Sequence, residues 1–266
     1  MRIEFKETNE DLKNRINIHN QFGAKDIDQW MLETLKLKPG LKILDLACGA
    51  GKQCTSFDKE LKGKCQIIGT DVSETLLEEA RQVGKNAISQ IDFQFMDFNK
   101  PFDFEENIFD LASCCFAIYY AQDIPFTLSE VHRVLKPGGR LFTTGPMPSN
   151  KQIFYEIIKE ATGKAIPLMP GSSRYASEIY SSMEKRFNKV EQHIFENPLT
   201  FLAVEPYMVY TRASMSEDRK LWNSLFTTHE DFEKLMQAIQ AAAEKRLLKD
   251  GKIVMTKVVG GFIATK

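Results

Sequence analysis

Short apolar runs that alternate with amphipathic helices constrain the fold of this chain more than any other feature of its sequence. The runs that read as strands are residues 42–47, 65–70, 92–96, 109–116 and 140–144. Helical periodicity separates them, over residues 53–61, after Ser73, and over 126–135. Strands separated by helices at this spacing predict an α/β fold with a parallel, doubly wound sheet.

The C-terminal half shows a different pattern, in which helical segments predominate. Ser149 is predicted to cap a helix, and Thr228 to Asp231 resembles a capping box that opens a long helix. Residues 187–195 alternate like a strand, and residues 253–264 read as the last strand of the chain. The rest of 146–250 consists of helical additions, which can cover a pocket on the sheet. At the other end of the chain, residues 10–37 read as helical.

Charge and cysteine content exclude several classes of protein. The net charge is −1, and no long basic run is present, so a nucleic-acid partner is not expected. The five cysteines include no Cys-x-x-Cys pair, and the four histidines do not lie beside them at zinc-ligand spacing, so no metal site is expected. Reduced thiols of this kind are typical of a cytoplasmic protein. No stretch of eighteen apolar residues occurs, so membrane insertion is not expected.

The glycine turn after the first strand, Asp45-Leu-Ala-Cys-Gly-Ala-Gly51, is the main candidate for a binding site. Gly49 and Gly51 let the backbone approach a ligand, because no Cβ stands in the way. Asp71 ends the next strand, about 20 residues after Gly51, a spacing at which an acid accepts hydrogen bonds from ribose hydroxyls. Ligands of open α/β sheets bind at the carboxyl ends of the strands, so these residues predict a nucleotide site.

A second acid extends this pattern to the third strand. Asp97 ends that strand and can accept a hydrogen bond from an adenine amino group. Val72 and Phe98 follow the two acids directly, where their side chains can pack on the faces of an adenine ring. The ordered set of turn and two acids is therefore more specific than any of its members alone.

The residues around the turn discriminate between nucleotide ligands. A phosphate-binding loop is excluded, because Lys52 is followed by Gln53 and Leu46 occupies the position of the required first glycine. The dinucleotide motif Gly-x-Gly-x-x-Gly is incomplete, since Cys54 replaces its third glycine. The acidic Asp45 suits a cationic ligand, such as the amino-acid end of S-adenosylmethionine, directly or through water. A non-catalytic or NAD-binding Rossmann-type protein remains an alternative.

These segments resemble the motifs of class I S-adenosylmethionine-dependent methyltransferases. Residues 45–51 resemble the first motif of that family, residues 69–73 the second, and residues 96–98 the third. The segment 109–120, followed by 130–139, is similar to the small-molecule methyltransferases of ubiquinone and menaquinone biosynthesis. The resemblance implies a Rossmann-like, doubly wound seven-stranded sheet whose last strand is antiparallel, S-adenosylmethionine as the cofactor, and methyl transfer to a small organic acceptor. A methyltransferase that acts on protein or RNA remains an alternative.

The chain is expected to form a single methyltransferase domain. Its predicted parts are an N-terminal helical cap (1–39), a cofactor-binding core (40–145), substrate-cover insertions around strand 187–195 (146–250) and a final strand (252–265). The sequence indicates neither an oligomeric state nor the identity of the acceptor.

The resemblance also assigns cofactor contacts to individual positions of this sequence. The glycine turn lines the methionine moiety, Asp71 binds the ribose, and Val72 packs on the adenine. Asp97, together with the backbone of Phe98, reads the adenine edge, and the end of the fourth strand contacts the methionine part through its backbone. The predicted cofactor-binding residues are Asp45, Ala47, Cys48, Gly49, Gly51, Asp71, Val72, Asp97, Phe98 and Cys114.

Candidates for catalysis and acceptor binding rest on weaker patterns. Methyl transfer is an in-line displacement that depends mainly on positioning, and only an acceptor that holds its proton tightly needs a base. The catalytic candidates are Tyr119 and Tyr120, which follow the fourth strand, and His19 in the N-terminal helix. The acceptor-binding candidates are Arg174, Tyr175, Tyr207 and Tyr210. Packing, capping or solvation is the more common explanation for residues of these types.

Overall fold

The structure is a computed structural model of the 266-residue chain. It describes residue 14 and residues 17–19, 21–166, 170–214 and 219–266. Among these residues, no helix combines the length and the apolar composition that crossing a membrane requires.

Seven strands form one mixed sheet in the order β3-β2-β1-β4-β5-β7-β6. Their bounds are β1 (Leu41–Leu46), β2 (Cys65–Asp71), β3 (Ile91–Phe95), β4 (Phe109–Cys115), β5 (Leu135–Pro146), β6 (Lys189–Phe201) and β7 (Ile253–Thr265). The neighbouring pairs among β1 to β5 are parallel, and β7 runs antiparallel to β5. The predicted seven-stranded, doubly wound sheet with an antiparallel last strand is therefore confirmed.

Helices precede, connect and follow these strands. Their bounds are α1 (Ile27–Leu35), α2 (Lys52–Glu60), α3 (Glu74–Gly84), α4 (Ile124–Val134), α5 (Gln152–Thr162), α6 (Pro170–Ser173), α7 (Tyr180–Arg186), α8 (Val204–Ala213), α9 (Arg219–Leu225) and α10 (His229–Asp250). A 3-10 turn, Ile118–Tyr120, follows β4, and a π-helical stretch, Arg174–Ile179, joins α6 to α7.

The helix predicted over residues 10–37 is interrupted. Residues 21–22 are helical, but α1 begins only at Ile27. The carboxylate of Asp26 accepts hydrogen bonds from the N–H groups of Asp28 (2.7 Å) and Gln29 (3.2 Å), and this N-cap sets the start of α1. Residues 10–13, 15–16 and 20 of the predicted helix lie outside the described residues.

The caps predicted in the C-terminal half have different outcomes. Ser149 does not cap α5, because that helix begins at Gln152 with Lys151 as its N-cap in a left-handed conformation (φ 58°). The capping box of α10 is confirmed. The Thr228 hydroxyl accepts from the Asp231 N–H at 3.1 Å, and the Asp231 carboxylate accepts from the Thr228 N–H at 3.2 Å.

The chain divides into two compact units. The first, here called the sheet unit, comprises Asp26–Pro148, Pro170–Phe195 and Val259–Lys266. The second, here called the insertion unit, comprises Met1–Lys25, Ser149–Met169 and Glu196–Val258. Segment 170–195, predicted as part of the cover, thus belongs with the sheet. The single domain predicted from the sequence stays a prediction.

Within the sheet unit, two hydrophobic clusters cover the two faces of the sheet. Successive side chains of a strand point to opposite faces. On β1, Ile43 therefore packs in one cluster with Phe57 of α2, and Leu44 packs in the other with Leu128 of α4. Burial on both faces explains why β4 reads as a continuous apolar run.

The insertion unit has an aromatic core of its own. Phe154 of α5 lies at its centre, with ring centroids of Tyr210 and Trp222 at 5.8 Å and 6.1 Å. Arg246 of α10 pairs with Glu156 of α5 at 3.4 Å and also bonds Glu160. These contacts tie α5 to α10.

Candidate active site

The chain leaves β1 through a turn that exposes bare backbone. Ala47 and Gly49 both adopt left-handed conformations, with φ of 54° and 55°. The Cys48 N–H donates to the Thr70 carbonyl at 2.9 Å, which fastens the turn to the end of β2. A Cβ built on Gly49 would meet no atom within 4 Å. The side of the turn at Gly49 is therefore open, as the sequence analysis predicted.

Gly51, the second glycine of the turn, is required by packing. Its φ is 78°, and a Cβ there would approach Phe93 at 3.0 Å and Ala80 at 3.1 Å. The Gly51 carbonyl also accepts from the Thr55 N–H at 3.0 Å in the first turn of α2. The absent side chain therefore lets the start of α2 pack closely against α3 and β3. The ligand contact predicted for Gly51 stays a prediction.

The carboxylate of Asp71 lies against the glycine turn. Its Oδ2 accepts from the Gly49 N–H and its Oδ1 from the Ser73 N–H, both at 2.9 Å. The Asp71 carbonyl accepts from the Met96 N–H at 3.0 Å, which brings the end of β3 alongside. Because each carboxylate oxygen has two lone pairs, Asp71 can accept further hydrogen bonds from a ligand.

Asp45 lies behind the turn and is only 2% exposed. Its Oδ1 accepts from the Ser113 hydroxyl at 2.5 Å, and its Oδ2 accepts from the Cys54 thiol at 3.3 Å. Burial raises the pKa of Asp45 to about 6, although the hydrogen bonds from Ser113 and Cys54 lower it. This enclosure favours an indirect electrostatic role for Asp45 over direct contact with a ligand.

The end of β3 supplies the second predicted acid. Asp97 accepts from the N–H and the side-chain amide of Asn99, at 2.9 Å and 3.0 Å, so its loop already uses part of its bonding capacity. Val72 is 57% exposed, which leaves an apolar surface at this edge. Phe98 instead packs against the sheet core, and its carbonyl accepts from the Thr127 hydroxyl at 3.2 Å.

Cysteines surround the turn and the end of β4. Cys48 and Cys114 are buried, and Cys114 lies in β4 opposite Thr143 of β5. All five cysteines are free thiols. The pKa of the Cys114 thiol is raised, mainly because the side chain is buried. In the described part of the chain, no group of three or more His, Cys, Asp or Glu residues is arranged to hold a metal ion.

The loop after β4 carries two of the catalytic candidates. The rings of Tyr119 and Tyr120 are in contact, with centroids 4.7 Å apart, and Tyr120 is 69% exposed. Arg174 donates to the Tyr119 carbonyl at 2.8 Å and to the Glu178 carboxylate at 3.1 Å. The guanidinium of Arg174, predicted to bind the acceptor, is thus engaged in holding this loop.

Tyr175, predicted to bind the acceptor, lies in the core of the sheet unit. Its ring stacks on Phe262, with centroids 4.5 Å apart and planes 4° from parallel. Its hydroxyl lies 2.9 Å from the Thr143 carbonyl and 3.2 Å from the Gly260 carbonyl. The side chain is fully buried and its hydroxyl is already bonded, so we leave Tyr175 out of the acceptor site.

This placement predicts a stability effect for Tyr175→Phe. Loss of the hydroxyl removes a buried donor from two carbonyls, and we expect the free energy of unfolding to fall by about 1–3 kcal/mol. Urea denaturation measures that change, and calorimetry with S-adenosylhomocysteine checks that ligand affinity is unchanged. If Tyr175→Phe were as stable as the wild type but turned over the acceptor more slowly, Tyr175 would belong to the acceptor site.

The remaining candidates belong to the insertion unit. The His19 ring meets Tyr210 edge-on, with centroids 6.2 Å apart. Tyr207 and Tyr210 are fully buried in the aromatic core, where burial raises the pKa of Tyr207 above its ordinary value. Lys257 donates to the Tyr210 hydroxyl at 3.3 Å. Within their own unit, Tyr207 and Tyr210 contribute to packing.

Two residues that interact closely with the candidate site were missed by the sequence analysis. Ser113 and Cys54 both donate hydrogen bonds to the Asp45 carboxylate. Cys54 is 9 residues from Asp45 in the sequence, whereas Ser113 is 68 residues away. Only the pairing of β1 with β4, in which Asp45 lies opposite Ser113, brings Ser113 to this carboxylate. No local sequence signal specifies that register.

Comparison with known proteins identifies the family to which this chain is similar. The methyltransferase-domain family matches residues 37–259. A 2-phytyl-1,4-naphtoquinone methyltransferase from Nostoc sp. is 35% identical over 104 residues, which are 39% of this chain and 45% of that protein. The ubiquinone/menaquinone biosynthesis C-methyltransferase UbiE from Desulfotalea psychrophila is 34% identical over 128 residues, which are 48% of this chain and 50% of that protein. The chain thus spans about half the length of these curated relatives.

A solved structure supports the same fold. Phosphoethanolamine N-methyltransferase 2 from Haemonchus contortus, determined in complex with S-adenosyl-L-methionine, superposes with a TM-score of 0.54 at 18% identity. The superposition covers 97% of this chain and 57% of that one. At this identity the similarity establishes the fold alone. The family match extends over most of the chain, from residue 37 to residue 259, and on that ground the protein belongs to the methyltransferase-domain family.

Proposed function

We propose that this protein transfers a methyl group from S-adenosylmethionine to a small organic acceptor. The observation that carries the proposal is the open backbone of Gly49 held against the Asp71 carboxylate. Family membership supports the reaction class. The net charge of −1 supports a small acceptor over a nucleic acid. Two relatives are named as methyltransferases of naphthoquinone and of ubiquinone/menaquinone biosynthesis, which supports an organic ring as the acceptor.

The residues at the sheet edge fit this cofactor. The open side of Gly49 admits a ligand, and the unused lone pairs of Asp71 accept from two ribose hydroxyls. The exposed Val72 offers an apolar surface to adenine, and Asp97 accepts from the adenine amino group. The backbones of four further residues complete the proposed cofactor-binding set: Ala47, Cys48, Gly51 and Cys114. Asp45 acts on the bound cofactor through its charge, without direct contact. S-adenosylmethionine supplies, when bound, a methyl group on a positively charged sulfur.

For the acceptor, we propose that the loop after β4 provides the contacts. Tyr119 and Tyr120 orient it, and Arg174 positions the loop through the Tyr119 carbonyl. Catalysis then depends on alignment and exclusion of water, with a tyrosine hydroxyl taking part in proton transfer only if the acceptor needs it. We place the protein in the cytoplasm, a proposal supported by its five free thiols.

A matched pair of glycine variants tests the cofactor site. Gly49 and Gly40 both have positive φ, and a Cβ on either one would meet no atom within 4 Å. Replacement of either by alanine places an L residue at positive φ, which costs about 1–2 kcal/mol or more. We expect only Gly49→Ala to weaken S-adenosylhomocysteine binding in calorimetry, by at least about tenfold, because only its methyl group enters the ligand space.

Two outcomes would contradict the proposed function. One is equal affinity of a folded Gly49→Ala variant and the wild type for S-adenosylhomocysteine. The other is binding of NADH with no binding of S-adenosylhomocysteine, which would support a dinucleotide-binding or non-catalytic protein.

A further inference from the structure

Phe116 combines two unusual properties, an exposed aromatic ring and a left-handed backbone. It directly follows β4, its φ is 56°, and its side chain is 39% exposed. Bulky side chains rarely adopt this region, because Cβ approaches the following carbonyl oxygen. Among the described residues with positive φ other than glycine, Phe116 is the only aromatic one. Strained residues of this kind concentrate at functional sites, where surrounding structure holds them.

The surroundings of Phe116 hold its loop at three points. Its N–H donates to the Thr144 carbonyl at 2.9 Å, which continues the ladder between β4 and β5. Further along the loop, Gln122 N–H donates to the Asn99 side chain at 2.7 Å, and Arg174 bonds the Tyr119 carbonyl. These bonds hold the backbone of the loop at defined points.

Phe116 follows the strand that pairs with the strand preceding the glycine turn. Strands β1 and β4 pair through Asp45 and Ser113, and both chains leave the sheet shortly after that pair. Each leaves through a left-handed residue, Ala47 after β1 and Phe116 after β4. The open backbone at Gly49 and the Phe116 ring thus follow neighbouring central strands at the same edge.

We propose that Phe116 binds the methyl acceptor by stacking on a flat aromatic ring. The inference rests on the proposed function and deepens it, because it names a residue that selects a flat acceptor ring over a saturated one. An aromatic face discriminates a flat ring from a saturated ring of the same size, since only the flat ring stacks with full contact. Tyr120 is a second exposed aromatic residue of the same loop.

The test compares two probes of similar size, 1-naphthol and decahydro-1-naphthol, with the protein saturated in S-adenosylhomocysteine. Saturation-transfer NMR titrations give both affinities. We expect the wild type to prefer the flat probe about tenfold and Phe116→Ala to lose that preference. Phe116→Leu keeps an apolar side chain of similar bulk and should also lose the preference for the flat probe. This variant replaces Phe116→Ala in the test if the alanine variant does not fold.

Phe95→Ala provides the matched control. Phe95 is a phenylalanine at the end of β3, 58% exposed and without a left-handed backbone, so its loss should leave the probe preference unchanged. Thermal unfolding verifies that each variant is folded. The inference is overturned if the wild type shows no preference, if folded Phe116 variants keep it, or if Phe95→Ala removes it.

A separate readout distinguishes this inference from the proposed function. Phe116 variants should bind S-adenosylhomocysteine as the wild type does, because the ring belongs to the acceptor side. Failure of the wild type itself to bind S-adenosylhomocysteine would overturn the proposed function. Intact cofactor-product binding with an unchanged probe preference in Phe116→Ala would overturn the stacking role alone.

Discussion

Replacing Asp71 by alanine is expected to weaken S-adenosylhomocysteine binding by about 100-fold or more. A hydrogen bond to a charged acceptor contributes about 1.5–3 kcal/mol, and the proposed site gives Asp71 two ribose hydroxyls. The substitution also removes the acceptor of the Gly49 N–H, so the turn loses part of its support. Isothermal titration calorimetry measures the affinity, and Asp71→Asn, which keeps one acceptor oxygen, should give an intermediate value.

Asp110→Ala is the control variant, because it also removes a carboxylate that accepts a hydrogen bond from a backbone N–H. The Asp110 carboxylate accepts from the Lys42 N–H at 2.8 Å and from the Lys136 ammonium at 2.8 Å, at the opposite ends of β1 and β4 from the glycine turn. We expect this variant to lose stability and to retain ligand affinity. Unchanged affinity in a folded Asp71→Ala protein would remove Asp71 from the cofactor site.

The free energy of unfolding of the wild type is expected to fall by about 3 kcal/mol between about pH 4 and pH 6, and Asp45→Asn is expected to remove this fall. The folded-state pKa of Asp45 is about 6, raised mainly by burial from an ordinary value of 3.8. Between those two values the folded chain holds a proton that the unfolded chain has released. The free energy of unfolding therefore falls as pH rises from about 4 to about 6, at about 1.4 kcal/mol per pH unit.

Urea denaturation of wild type and Asp45→Asn at pH 4.5 and pH 7.5 isolates this contribution. The stability of Asp45→Asn relative to that of the wild type should be higher at pH 7.5 than at pH 4.5. Asp110→Asn should behave oppositely: although burial raises the pKa of Asp110, hydrogen bonds from Lys136 and Lys42 lower it overall. The ionised Asp110 carboxylate therefore stabilises the wild type at neutral pH, and this contribution is lost as pH falls. An equal difference for Asp45→Asn at both pH values would show that Asp45 does not titrate as proposed.

The sequence predicts the sheet and the glycine turn well, because their signals are local. Apolar runs separated by helices specify a doubly wound sheet, and each acid directly follows its strand. The meeting of Asp71 with Gly49 follows from that topology alone. The break before α1 was missed, since an N-cap at Asp26 outweighs a continuous helical pattern.

The rest of the site depends on contacts that local patterns do not specify. The register that sets Ser113 against Asp45 arises when two distant strands pair. Tyr175 reads as a loop residue but is buried by packing on Phe262, and Arg174 is occupied by a backbone carbonyl that no motif marks. The backbone conformation of Phe116 is likewise invisible in the sequence, because nothing about a phenylalanine suggests positive φ.

The two opposite hydrophobic clusters of the sheet have a consequence for how such a protein can diverge. Cys48 of the glycine turn belongs to the cluster on one face, whereas Leu46 and Ala47 of the same turn pack in the other cluster. That second cluster also contains Ala117 and Ile118 of the loop after β4. Mutations that remodel the loop after β4 therefore disturb side chains on which part of the turn rests. Drift in one loop is tolerated only as far as this shared packing allows.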